Sequence, residues 1–350
     1  MKTRYSVSRG PGRIVRSILC YLAVALLITW PTLAFAYDLP SRPLRIAASV
    51  SYLVAATAVI HALHSTLGRL LLVTLLACAL VAAWWFTLKP SNDGPWQEDV
   101  SRTASIEIRG EKAIIHNFRQ CDYRTELDYS CQWTTREVDL SRIRGFDLFM
   151  DYWGSPWIAH TLLSFDFGDG QHIVFSIEQR KRPGQSYSSI RGFFRQYTLI
   201  SVVSDERDVI RLRTNYREGE DVYLYHTKAT PAFAHELFLS YADLTNRLHG
   251  QPQWYNALTR NCTTEIYTLQ AMRHQPRDWR ILANGKGDEM LYEQGELAGD
   301  LPFSELKRRA WINPAARAAD QDPDFSARIR ENRPGFPSPL TFPKGNPNGI

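Results

Sequence analysis

The sequence predicts an α+β protein: N-terminal transmembrane helices, then an antiparallel sheet with helices packed on it. Three observations carry that prediction. Long apolar runs crowd the first quarter of the 350 residues, short alternating segments follow from Ala104, and apolar residues then recur at helical spacing from Thr230. The expected organisation is a membrane region over 1–89 with about three transmembrane helices, an exported domain over 90–331, and a disordered Pro/Gly-rich tail over 332–350.

Ile18–Ala36, Leu44–Leu63 and Leu70–Leu88 are each long enough to cross ~30 Å of hydrocarbon at about 1.5 Å per residue. They lack the charged face of a buried amphipathic helix. The first run also reads as a secretory signal, with Ala34-Phe35-Ala36 as a small-residue cleavage site. An uncleaved helix and a cleaved signal both remain open, and both export the later chain. Five bases precede Ile18, which places the N-terminus in the cytoplasm and everything after Lys89 outside. The expected location is the inner membrane, multi-pass, with the C-terminal domain in the periplasm.

Charge distribution excludes one class of partner. The net charge is +5, yet residues 1–89 hold nine bases and one acid, leaving 32 bases against 35 acids in the remainder. A nucleic-acid binder concentrates bases in its folded part, and this chain does not. With 44 % hydrophobic and 22 % charged residues, the chain is also no disordered or low-complexity protein.

Pro90 to Trp96 is a polar linker. Strands are then predicted at Ser105–Arg109, Lys112–Phe118 and Gln132–Leu140. The clearest hairpin joins Trp157–Phe167 to Gln171–Arg180 through Gly168-Asp169-Gly170. Further strands are read at Tyr197–Val203, Val209–Thr214 and Val222–His226. Thr230-Pro231 is a cap followed by Pro at the first helical position. Phe233, Leu237, Tyr241, Leu244 and Leu248 mark the buried face, and Gly250 closes the helix. A second helix is predicted from near Asn261 to about Arg273, and a short one near Phe303–Ala310.

Of the five cysteines, Cys20 and Cys78 fall in apolar runs and read as packing residues. Cys121 and Cys131 flank a polar strand connection, where a disulfide would form in an oxidising compartment. Cys262 is left. It follows Asn261, a good N-cap, so it falls in the first turn of a helix. Free N–H groups there would depress a thiol pKa and, with Thr263, could hold an oxyanion. A buried structural cysteine is the competing reading.

The hairpin offers this thiol a base. A three-residue turn sets His160 opposite Glu178 and puts His160, Leu162, Ser164 and Asp166 on one face with His172, Val174, Ser176 and Glu178. Cys262, His160 and Glu178 then follow the logic of nucleophile, base and orienter. A one-residue slip would make His172 or Ser176 the third member instead. An ordinary cross-strand ion pair is the competing reading of His160 and Glu178. A zinc site from His160, His172 and Cys262 lacks ligand spacing, and no dinucleotide, P-loop or G-x-S-x-G motif occurs, so no cofactor is expected. Asp205-Glu206-Arg207-Asp208 reads as a salt-bridged turn. Tyr123, Arg124, Arg136 and Arg180 are candidates for anionic head groups, with surface ion pairing the more economical account.

Ile158-Ala159-His160-Thr161-Leu162-Leu163-Ser164-Phe165, Ser176-Ile177-Glu178-Gln179-Arg180, Asp205-Glu206-Arg207-Asp208, Tyr255-Asn256 and Asn261-Cys262-Thr263-Thr264 together resemble one family. It is the N-terminal periplasmic domain of Lnb-type bacterial lipoprotein N-acyltransferases, over about Trp96 to Ala271. That family is similar to circularly permuted NlpC-type and lecithin-retinol-acyltransferase-like thiol enzymes, in which the histidine strand precedes the cysteine helix. The resemblance implies a permuted papain-like fold, Cys262 as nucleophile and His160 as base. It also implies thiol acyl transfer at the membrane, with phospholipid and lipoprotein as substrates. One departure stands out: here the apolar runs precede the domain, whereas the family's acyltransferase carries its membrane helices after it. A cysteine peptidase or amidase on periplasmic peptides or peptidoglycan would use the same residues, and a non-enzymatic envelope binding module would bury Cys262. The oligomeric state is not legible.

Overall fold

The computed structural model describes residues 11–266, 268–272, 278–281 and 284–337. Two compact units emerge, one built on the N-terminal helices with Tyr187–Tyr197, the other on Ser91–Ser186 and the chain from Thr198 onward.

The first unit contains α1 (Pro11–Asp38), α2 (Arg42–Leu63) and α3 (Leu67–Thr87), with α1 packed on both others. All three are long and apolar enough to cross a membrane. Ser41 caps α2 by accepting the Leu44 N–H at 3.4 Å. Aromatic rings gather toward the C-terminal ends of α1 and α3: Trp30 on Trp85, Phe35 on Trp84 and Tyr52, Tyr37 on Phe194. Such rings suit the boundary between hydrocarbon and water. Asp38 ends α1 and accepts from Trp85 Nε1 at 2.7 Å, the Arg195 N–H at 3.0 Å and Gln196 Nε2 at 2.7 Å. The Tyr187–Tyr197 segment is thereby tied to this helical unit.

The second unit is a mixed eight-stranded sheet carrying helices on both faces. Its strands are β1 (Ser105–Arg109), β2 (Lys112–Tyr123), β3 (Tyr129–Asp139), β4 (Gly145–Trp153), β5 (Ala159–Asp166), β6 (His172–Arg180), β7 (Thr198–Ser204) and β8 (Glu220–His226). The order is β1-β2-β7-β6-β5-β4-β8, with β3 pairing β2. Every pairing is antiparallel except one parallel bridge, Arg119↔Ser204, between β2 and β7. The α+β class read from the sequence is the one observed, with that single parallel contact the exception to an antiparallel sheet. Asn117, at φ +54°, sits where the β2/β3 register shifts. Cys121 and Cys131 oppose each other across β2 and β3 and are disulfide-bonded.

Helices follow as α4 (Glu206–Arg211), α5 (Pro231–Gly250), α6 (Cys262–Ile266), α7 (Gly287–Glu293), α8 (Phe303–Ala310), α9 (Asn313–Ala318) and α10 (Phe325–Arg328). On one sheet face Phe165, Phe167 and Phe175 stack against Phe238 of α5. On the other, Leu162, Val174, Ile200 and Val202 pack with Val209 and Ile210 of α4, Ala316 of α9 and Phe325 of α10. Thr230 caps α5 and accepts the Phe233 N–H. Phe336, within the stretch expected as a tail, packs on this second core and its ring lies 5.0 Å from that of His226. Residues 338–350 of that stretch lie outside the described residues.

Two expectations are corrected and one strand was missed. Val209–Thr214 is no strand: its alternation belongs to α4, capped by Asp205 on the Asp208 N–H, and to a π-type turn over Leu212–Tyr216. The helix expected from near Asn261 ends at Ile266, with a 3₁₀ turn at Gln270–Met272; its expected end at Arg273 lies outside the described residues. The fully internal strand β4 gave no signal in the sequence reading.

Candidate functional site

Gly168, Asp169 and Gly170 all have positive φ, which lets the β5/β6 turn close in three residues and fixes the register that pairs Leu162 with Ser176 and Asp166 with His172. The β5/β6 ladder stops at Leu162↔Ser176, although β5 stays paired with β4 to Ala159 and β6 stays paired with β7 to Arg180. Beyond that pair the two strands part. The start of α6 packs on both strands, and the Thr161 backbone N–H donates to Cys262 Sγ. The thiol thus meets the sheet one residue from His160. Among the described residues no hydrogen bond joins the thiol to the imidazole.

His160 is 8 % exposed, and its Nε2 lies 2.7 Å from Ser176 Oγ. Ser176, fully buried, donates to Glu178 Oε1 at 2.8 Å. A hydroxyl has one proton, so Ser176 must accept from His160 Nε2–H, which leaves Nδ1 as the lone-pair nitrogen. Burial, reinforced by the positive charge of Arg213 and opposed by Glu178, pushes the imidazole down to about 3. It is therefore neutral near pH 7.

Behind this relay lies a buried charge network. Burial alone would raise Glu178, but Arg213 and Arg119 hold it far below the usual carboxylate range. Arg213, 2 % exposed, places Nη2 at 2.9 Å from Glu178 Oε1 and Nε at 3.1 Å from Asp151 Oδ2. Asp151 of β4 is the cross-strand partner of His160. Its carboxyl is pushed well up by burial and by the neighbouring Glu220, against the opposing pull of Arg213. Arg119 forms a fully buried bidentate pair with Asp208 at 2.7 and 2.9 Å. The imidazole is thus gripped from β6 by Ser176, while Arg213 links the flanking carboxyls of β6 and β4.

The α6 start differs from expectation in its chemistry. Asn261 Oδ1 accepts the N–H groups of Thr263 and Thr264, both at 3.0 Å, and Thr264 Oγ1 accepts the Asn261 N–H at 2.8 Å. The cap therefore engages the Thr263 amide, which also bears on the sulfur, and the Thr263 hydroxyl lies 3.8 Å from Cys262 Sγ. Burial raises the Cys262 thiol, against the opposing pull of the Thr161 and Thr263 donors. The lowered thiol pKa expected from helix position is offset by burial, which raises it.

Arg180 is also placed differently from a head-group contact. It is 1 % exposed and spends its donors on Val100 O, Asn92 and Ser101 O while lying over Trp96, so it ties the 92–101 segment to β6. His172 sits at the turn end of β6, 3.8 Å from Glu206 and away from His160, because four residues of strand span about 13 Å. The Asp205–Asp208 motif is buried structure: Glu206 accepts from Ser164 and Arg330, and Asp208 from Arg119. Asp151 and Arg213 were missed in the sequence. Asp151 lay in the unrecognised β4, and Arg213 lay in a stretch taken for a strand.

Residues 129–285 match the family model described as the Lnb N-terminal periplasmic domain. No curated protein and no solved structure matches the chain. The matched span contains His160, Ser176, Glu178, Arg213 and Cys262, and three helices apolar enough to span a membrane precede it. These features fit a membrane protein with a periplasmic domain of the Lnb type.

Proposed function

We propose, on the premise that residues 129–285 are an Lnb N-terminal periplasmic domain, that the protein is a cysteine acyltransferase of the cell envelope. Cys262 is the nucleophile, His160 its base, Ser176 and Glu178 the groups that orient the imidazole. The observation carrying this reading is the His160–Ser176–Glu178 relay. It engages Nε2 and leaves Nδ1 free in a neutral imidazole, one residue from the amide that holds the Cys262 sulfur. The cavity beside the thiol is apolar in its walls, which favours a lipid substrate over the polar groove a peptidase needs.

In the first half-reaction His160 Nδ1 takes the thiol proton as sulfur attacks the ester carbonyl carbon of a lipid. The S–C bond forms and the carbonyl electron pair moves onto oxygen, facing the Cys262 N–H. When that pair returns, the C–O bond breaks and His160 protonates the leaving alkoxide. An acceptor amine, by resemblance the amino-terminal cysteine of a lipoprotein, then attacks the thioester. Its proton passes through His160 to the sulfur as the S–C bond breaks. Three membrane passes in the inner membrane, with the domain in the periplasm, would hold the enzyme where both substrates reside.

The test uses the full-length purified protein and p-nitrophenyl butyrate. One equivalent of p-nitrophenol should appear in a burst, with a hydroxylamine-labile butyryl mass on the Cys262 peptide. A Cys262→Ser protein that gives the same burst, or a wild type that gives none, overturns the reading.

A further inference from the structure

Three of the protein's four methionines, Met150, Met272 and Met290, line one cavity. It lies between β4/β5 and the helices α5, α6 and α7, and it measures about 100 Å³. At one end are Thr161 and Thr263, two residues in contact with the Cys262 sulfur. From there the cavity follows Met150, Leu148 and Phe146 along β4, with Leu163 beside them on β5. Polar groups return only at the far end, at Thr227, Gln294 and Glu296. From Met150 to Phe146 the strand spans about 13 Å, which an extended chain of on the order of ten methylenes would fill.

We infer that this cavity binds the linear aliphatic chain of the substrate and sets its length. The claim rests on the acyltransferase reading for its biological substrate, and on the cavity alone for its physical content. A methionine-lined slot suits such a chain, because unbranched thioethers re-pack around a guest without a polar partner. The resting volume is well below the ~300–1,000 Å³ of ordinary ligand pockets, so Met150 and Met290 move apart when the chain enters. Thr161 Oγ1 donates to Met150 Sδ at 3.6 Å, which keeps the resting slot closed next to the thiol. With the chain in the slot, its reactive head group lies at the Thr161–Thr263 end, against the sulfur.

The experiment reads alkylation rather than acyl transfer, so it stands or falls separately from the proposed function. Full-length protein carrying Cys20→Ala and Cys78→Ala is treated at about pH 8 with N-alkyl iodoacetamides of 2 to 14 carbons. In each reaction the sulfur forms a C–S bond, the C–I bond breaks, iodide leaves and the thiol proton passes to the buffer. Intact mass gives the rate at Cys262. The expected rate climbs roughly tenfold or more from ethyl to about ten carbons and falls beyond, since each buried methylene adds binding. Met290→Trp should move the optimum several carbons shorter. Gly287→Ala, whose new Cβ would meet Met150 Cε at 3.4 Å, should move it by less in the same direction and decides the matter where the tryptophan variant fails to fold. A flat chain-length series, or one that neither variant shifts, overturns the inference. A length preference that persists while esters give no thioester overturns the acyltransferase reading and leaves the slot standing.

Discussion

Ser176→Ala cuts the relay at its centre and removes one hydroxyl from a fully buried position. Two hydrogen bonds go, at 2.7 Å to His160 Nε2 and at 2.8 Å to Glu178 Oε1. The bond to the charged carboxylate contributes about 1.5–3 kcal/mol. The imidazole N–H left buried without a partner costs about 1–3 kcal/mol more. Together these give about 2.5–6 kcal/mol in stability, and because Glu178 keeps Arg213 at 2.9 Å its charge is not stranded, which places the expected loss toward the lower end of that range. The functional effect is more specific: without an acceptor at Nε2 the proton can occupy Nδ1, and the tautomer that serves the thiol is no longer fixed. The single-turnover rate of Cys262 acylation by p-nitrophenyl butyrate should drop roughly 10- to 100-fold with KM little changed. Ser176→Thr, which restores a hydroxyl, should recover most of it. A Ser176→Ala protein that loses stability yet acylates at the wild-type rate would refute the relay.

Other perturbations have equally definite expectations. Arg213→Met strands Glu178 and Asp151 and should cost about 3–5 kcal/mol in urea unfolding, whereas a loss under about 1 kcal/mol would mean the network is not as buried as described. Because His160 is held at about 3 against an ordinary 6.5, the unfolded chain takes up a proton first as pH falls. Stability should therefore decline below about pH 6.5, by roughly 2 kcal/mol at pH 5, and the part due to this residue should vanish in His160→Gln. Since Cys262 is raised by burial, its reaction with small iodoacetamide should still be climbing at about pH 9, and a plateau near pH 7 would contradict a neutral resting thiol. Replacing Cys121 and Cys131 by serine opens a loop with sequence separation 10 and should cost about 3 kcal/mol without changing the Cys262 acylation rate of the folded protein.

How much was legible in the sequence depends on which signals are local. The β5/β6 register could be read because a Gly-Asp-Gly turn and clean alternation are short-range features. His160, Ser176 and Glu178 therefore fell on one face as expected. Their order did not: the ladder parts after Leu162, so His160 leans back onto Ser176 and Glu178 stands one step behind. β4 was silent because all but one of its residues are buried, while Asp147 and Asp151 interrupt the apolar run with acids whose partners, Arg330 and His226 for the first and Arg213 for the second, are distant in sequence. Val209–Thr214 alternates like a strand because Arg211 and Arg213 are polar residues whose partners, Asp122, Asp151 and Glu178, belong to other strands. The thiol pKa could not be judged from helix position alone, since burial outweighs the donors of Thr161 and Thr263 and a five-residue helix.

The central claim is that Cys262 carries an acyl group from lipid in a proton transfer run by His160. Membranes containing wild type, Cys262→Ser or His160→Ala, supplied with phospholipid labelled in its acyl chain, test it most directly. The account predicts a hydroxylamine-labile label on the wild type, none on Cys262→Ser, and label formed roughly 10²–10⁴-fold more slowly on His160→Ala. Label absent from all three, or present on Cys262→Ser as on wild type, would contradict it.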